Sequence, residues 1–138
     1  MADLKSSVIS SEIKSAPDYL FYGKTMPNNT NVDSAEKLLG GTQDSLEVVV
    51  IAATEIALAD TKVLTIILQK ATAKGGSYST VSTLYTKTAS GAETIAAGTE
   101  LARYTINRID GLWFKLNIAT TDTQESGTIT AYPAYVSR

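Results

Sequence analysis

Leu112, Phe114, Leu116 and Ile118 alternate with Trp113, Lys115 and Asn117, a strict period of two that suits a half-buried strand and no helix. Most of the chain follows the same pattern. Leu46 to Ala52 and Val63 to Gln69 are apolar runs rich in β-branched residues and too short for helices. Ser79 to Thr86 is read with Val81 and Tyr85 on one face and Leu84 on the other. Glu100 to Ile106 places Ala102, Tyr104 and Ile106 on one face. The last strand runs from Gly127 to Val136. Pro133 interrupts it and cannot donate to a ladder, so an edge or a bulge is expected there. Turn signals at Lys74-Gly75-Gly76, Ser90-Gly91, Gly98, Asp110-Gly111 and Ser126-Gly127 separate these segments.

Residues 1–45 read differently. They hold Pro17, Pro27, the Asn28-to-Asn31 cluster and the Gly40-Gly41 pair, all loop signals. Tyr19 to Tyr22 reads as a short strand and Val8 to Ile13 as a weaker one. Ser34 to Leu39 is either a helical turn or a loop, and so is Ala52 to Ala59. About eight antiparallel strands at regular spacing predict an all-β sandwich or barrel over residues 18–138, preceded by an N-terminal arm over 1–17. Leu64, Ile66, Leu68, Leu112, Phe114, Leu116 and Ile118 are the expected core.

The inventory of side chains narrows the chemistry. The chain has no His and no Cys. Imidazole bases, thiolate nucleophiles, disulfides and the usual zinc ligands are therefore missing. An enzyme is not expected, and neither is a cofactor or a metal. The net charge of -2 leaves no footprint for nucleic acid or anionic lipid. The apolar runs are far shorter than the ~20 residues that cross a bilayer, and the first residues do not read as a secretory signal. Synthesis in the cytoplasm is the expectation.

Individual motifs mostly reduce to structure. Lys74-Gly75-Gly76-Ser77 lacks the spacing of a phosphate loop and precedes a strand, so it reads as a hairpin connection. Asp33, Glu36, Asp44, Glu47, Glu55, Asp60, Asp122 and Glu125 show no convergence and read as solvated carboxylates. Asp122 and Glu125 lack the alternation of a calcium loop, although a weak cation site stays open.

Two runs are apolar on both faces. Val49 and Ile51 oppose Leu46, Val48 and Val50, and Val63 and Ile67 oppose Leu64, Ile66 and Leu68. A lone sandwich places polar residues on its outer faces, so a cover is expected: the chain's own N-terminal arm, or a second subunit. Trp113, opposite the Leu112/Phe114 face, fits an interface, cover by its own chain, or stacking on a sugar. Val49, Ile51, Val63, Ile67 and Trp113, with Val8 and Ile13 of the arm, form the candidate interface.

Five stretches carry a family resemblance: Val63 to Gln69, Lys74 to Val81, Ile95 to Ile106, Trp113 to Thr121 and Ser126 to Val136. Their order and turns resemble the small jelly-roll cement or decoration proteins of tailed bacteriophages over about residues 46–138. The resemblance implies a jelly-roll β-sandwich and a virion structural protein on the outside of the capsid. It also implies a homotrimer that touches the major capsid protein and stabilises contacts between capsomers. The alternative is a receptor- or carbohydrate-binding β-sandwich of a phage tail or fibre.

Overall fold

The computed structural model describes residues 19–39, 46–106, 112–124 and 126–135. The expected arm over 1–17, with Val8 and Ile13, lies outside them. The described residues form eleven strands and no helix: β1 (Phe21–Thr25), β2 (Asn31–Asp33), β3 (Lys37–Leu39), β4 (Leu46–Ala52), β5 (Ile56–Leu58), β6 (Val63–Ala71), β7 (Ser79–Thr88), β8 (Glu93–Ile95), β9 (Glu100–Ile106), β10 (Leu112–Thr120) and β11 (Thr128–Tyr135). Every pairing is antiparallel. One sheet has the order β1–β11–β4–β9. The other has the order β2–β10–β6–β7, with β3 also on β10. A small ribbon pairs β5 with β8. The chain is thus an all-β sandwich, and most of its strands switch sheets from one to the next.

The core lies between the two sheets. Leu64, Ile66, Leu68, Leu116 and Ile118 are fully buried, and Phe114 is 2% exposed. They meet Val48, Val50, Ala52, Ile129 and Ala131 of the other sheet in one cluster. Leu112, at the start of β10, is partly buried against that cluster. The period-two reading of β6 and β10 therefore picked the inner face. Removing these side chains from water is the main stabilising term, at about 1.5–3 kcal/mol for each large aliphatic or aromatic residue.

The strand count exceeds the expected eight because short pairings add to it. Ser34 to Leu39 contains neither a helical turn nor a loop alone: Lys37–Leu39 pairs with Leu112–Phe114. Ile56–Leu58 likewise pairs with Glu93–Ile95, where a helical turn or loop was expected. In both cases a partner distant in sequence selects the extended form, which local composition cannot announce. On β7, Val81, Leu84 and Tyr85 all pack against the core. The expected split between faces fails because the β6–β7 register shifts twice, at Ile66/Ile67 and Leu68/Gln69. Each shift inserts a residue and restarts the alternation. β11 is an interior strand over Thr128 to Ala131, but at Pro133 it pairs with β4 alone and is the edge expected there, with no bulge against β4. Pro133 is tolerated on the side away from β4 because β1 pairs only as far as Ala131.

The turn from Ala59 to Lys62 holds a strained residue. Lys62 N–H donates to the Ala59 carbonyl at 3.1 Å, and Thr61 has φ +67°. A β-branched residue there pays roughly 1–2 kcal/mol relative to glycine's freedom, less about 0.5–1 kcal/mol for glycine's extra entropy when unfolded. Thr61→Gly should therefore raise stability by about 0.5–1 kcal/mol in a urea melt. A loss of stability would show that the threonine side chain holds the turn more than its backbone resists it.

Candidate functional site

The two outer sheet faces hold the candidate interface residues, and they hold them on opposite sides of the molecule. Val49 and Ile51 belong to the outer face of the four-stranded sheet. Val63, Ile67 and Trp113 belong to that of the five-stranded sheet. Val49 is 1% exposed and lies outside the core cluster, so it is covered within its own chain. Its cross-strand neighbours are Tyr132 and Arg103. Ile51 is half-buried.

Arg103 organises this face. Its guanidinium bridges Glu47 at 2.6 Å and Glu100 at 2.8 Å. The two carboxylates raise the arginine above its ordinary value, and Arg103 lowers Glu100. The ions are exposed enough that the network orients side chains more than it stabilises the fold. Beside it, Tyr19 packs edge-on against Tyr22 at 4.9 Å and tilted against Tyr132 at 5.5 Å. Tyr22 is 66% exposed.

The five-stranded face carries a longer polar network with two aromatic rings. Pairing of β3 with β10 puts exposed Leu38 directly beside half-buried Trp113. Pairing of β2 with β10 puts Asp33 beside Asn117. Lys115 Nζ then reaches Asp33 Oδ2 at 3.1 Å, and the Asn117 amide donates to Asp33 Oδ1 at 2.8 Å and to Asn31 Oδ1 at 3.0 Å. The ammonium of Lys115 also lies 4.4 Å from the centre of the Tyr78 ring. The Tyr78 hydroxyl donates to Glu36 Oε1 at 2.5 Å, which also accepts Gly75 N–H at 2.6 Å. Lys74, on the same turn as Gly75, lies 5.7 Å from the Trp113 ring centre.

The charges on this face are set by hydrogen bonds. Tyr78 and the Gly75 N–H hold Glu36 below the ordinary carboxylate value. Burial, and then the bond to Glu36, push Tyr78 up to about 12. The Asn117 amide is the largest cause lowering Asp33, burial opposes it, and Lys115 adds to the lowering. Near neutral pH both carboxylates are ionised and the phenol is intact. Two lysines and two carboxylates then balance, so the patch is polar without being strongly charged.

Val63 and Ile67 are half-buried on this same face. Trp113 pairs with Ala71, at the far end of β6 from Val63. At about 3.3 Å per residue that separation is roughly 26 Å. The candidate residues therefore form no single patch. Asp33 and Glu36 read in the sequence as solvated carboxylates, and nothing there singles out Tyr78. The only signal was the polar side of β10, Lys115 and Asn117, sharing a face with Trp113.

Asp122 is a structural tie. It is 4% exposed, with Oδ2 accepting Ala59 N–H and Oδ1 accepting Gln124 N–H, both at 2.8 Å. Its backbone carbonyl accepts Asn29 N–H at 2.9 Å. Among the described residues no group of three or more acidic side chains is placed to hold a metal. No protein-family model matches the chain, and no curated protein matches it.

Proposed function

We propose that the chain is a virion structural protein of a tailed phage, a trimer that decorates the outside of the capsid and ties neighbouring capsomers. The single observation that carries this reading is the aliphatic content of the outer sheet faces. β4 and β6 are interior strands of their sheets, yet Ile51, Val63 and Ile67 point outward and are only half-buried. A free sandwich places polar residues at such positions, and association would bury this area. The strand order supports the reading too. β1–β11–β4–β9 facing β2–β10–β6–β7 is the arrangement two Greek keys give in a jelly roll. A protein that binds the assembled shell and not free subunits stabilises the shell by mass action, without catalysis.

Light scattering of the purified chain should give about three times its mass of 14.7 kDa. The protein should also sediment with expanded capsids and not with unassembled capsid protein. A monomer at micromolar concentration would remove the trimer. Failure to sediment with capsids would remove the decoration role.

A further inference from the structure

We propose that the Trp113 end of the five-stranded sheet is a binding site for a neutral saccharide, an activity separate from capsid attachment. Sugar recognition needs an aromatic face for the C–H side of a pyranose and planar polar groups for its hydroxyls. Both are present on this one face. Trp113 and Lys115 alternate on β10, about 7 Å apart, and Tyr78 lies under the Lys115 ammonium. The rings of Trp113 and Tyr78 thus border one short stretch of surface. Around them stand the carboxylates of Asp33 and Glu36 and the amides of Asn117 and Asn31.

Lys74 marks the available ring face, that of Trp113, whereas the Tyr78 face lies under Lys115, which Asp33 holds. A ring that attracts an ammonium attracts the polarised C–H groups of a sugar for the same reason, the negative quadrupole of its face. Lys74 is exposed on its turn and makes no ion pair among the described residues. Its stem can therefore leave the Trp113 ring without breaking one. Tyr78 stays in place, because its hydroxyl is fixed by Glu36, which is itself fixed by Gly75. Asn117 is held between Asp33 and Asn31. The polar groups are preorganised, which lowers the entropy cost of binding. Charge selects the ligand class. With Lys74 and Lys115 against Asp33 and Glu36 the patch carries no net charge, so a neutral glycan meets no net field and an added sulfate or sialate gains no attraction.

Trp113 is the only tryptophan of the chain, so its emission reports on this site alone. The full-length protein is titrated with neutral oligosaccharides built on glucose, galactose, mannose and N-acetylglucosamine, and with sialylated and sulfated counterparts. One neutral class should change the emission saturably, with half-saturation near or below ~1 mM. Asn117→Ala should weaken that binding by about tenfold or more with an unchanged far-UV spectrum, and Tyr78→Ala should do the same. Trp113→Ala, followed by calorimetry, should abolish it. No saturable response from any neutral class overturns the proposal, and so does a response confined to charged glycans. Binding that survives both Asn117→Ala and Tyr78→Ala places the ligand elsewhere and also overturns it. Capsid sedimentation keeps the two functions apart: Tyr78→Ala should weaken sugar binding and still sediment with capsids, whereas Asn117 is the cross-strand partner of Ile67 and borders the association face.

Discussion

Phe114→Ala should lower the stability of the protein by about 3–5 kcal/mol. Phe114 is 2% exposed within the core, on a strand flanked by β6 along most of its length and by β2 and β3 on its other side. Its truncation removes the transfer free energy of the ring and leaves a cavity. The surrounding core cannot close it, because its members, Leu68, Leu116 and Val50 among them, sit on paired strands of the two sheets. Leu112→Ala is the comparison. Leu112 lies on the same face but is only partly buried, so its loss should cost clearly less. Urea melts at one fixed protein concentration measure both, since any oligomer makes the midpoint depend on concentration. A cost below ~1 kcal/mol for Phe114→Ala would mean that the ring is not packed between the sheets.

The parts of the fold that were legible in the sequence are those whose signal does not depend on pairing. β10 and β6 announce themselves because the inner residues Leu64, Ile66, Leu68, Phe114, Leu116 and Ile118 recur every second position, and period two needs no knowledge of the partner strand. β3, β5 and β8 were illegible because three residues carry no period. Their extended form comes from β10 in one case and from each other in the other two. β7 was misread because its bulges exist only relative to β6. The same distinction governs the site. Trp113, Lys115 and Asn117 were visibly on one side of β10. Asp33 and Glu36 join them only because β2 and β3 pair with β10 in one particular register, and Tyr78 arrives from the turn before β7. No local pattern encodes that meeting. Val49 shows the opposite limit: its outward direction and its need for a cover were legible, but not which of the two, its own chain or a second subunit, supplies it.

Gly127→Ala should cost about 3–5 kcal/mol, far more than Gly98→Ala at about 1–2 kcal/mol. The pair isolates steric contact from backbone strain. Gly127 has φ +88° and Gly98 has φ +87°, so an added Cβ meets the same intrinsic penalty at both. At Gly98 that Cβ would point into open space. At Gly127 it would lie 2.5 Å from the Glu55 carbonyl oxygen and 2.7 Å from Ile56 Cγ1. Neither neighbour can move cheaply. Ile56 is fully buried and belongs to β5, whose backbone is paired to β8 and also bonded to Ser126 through Ala57 N–H at 3.1 Å. The Gly127 carbonyl accepts Met26 N–H at 3.1 Å, so the other side of the turn is held as well. Accommodating a methyl group requires β5 to separate from the start of β11, opening the core at Ile56. Melting the two variants side by side checks this. Equal losses would show that the close approach at Gly127 relaxes freely and that the β5–β8 ribbon is not locked to the sandwich.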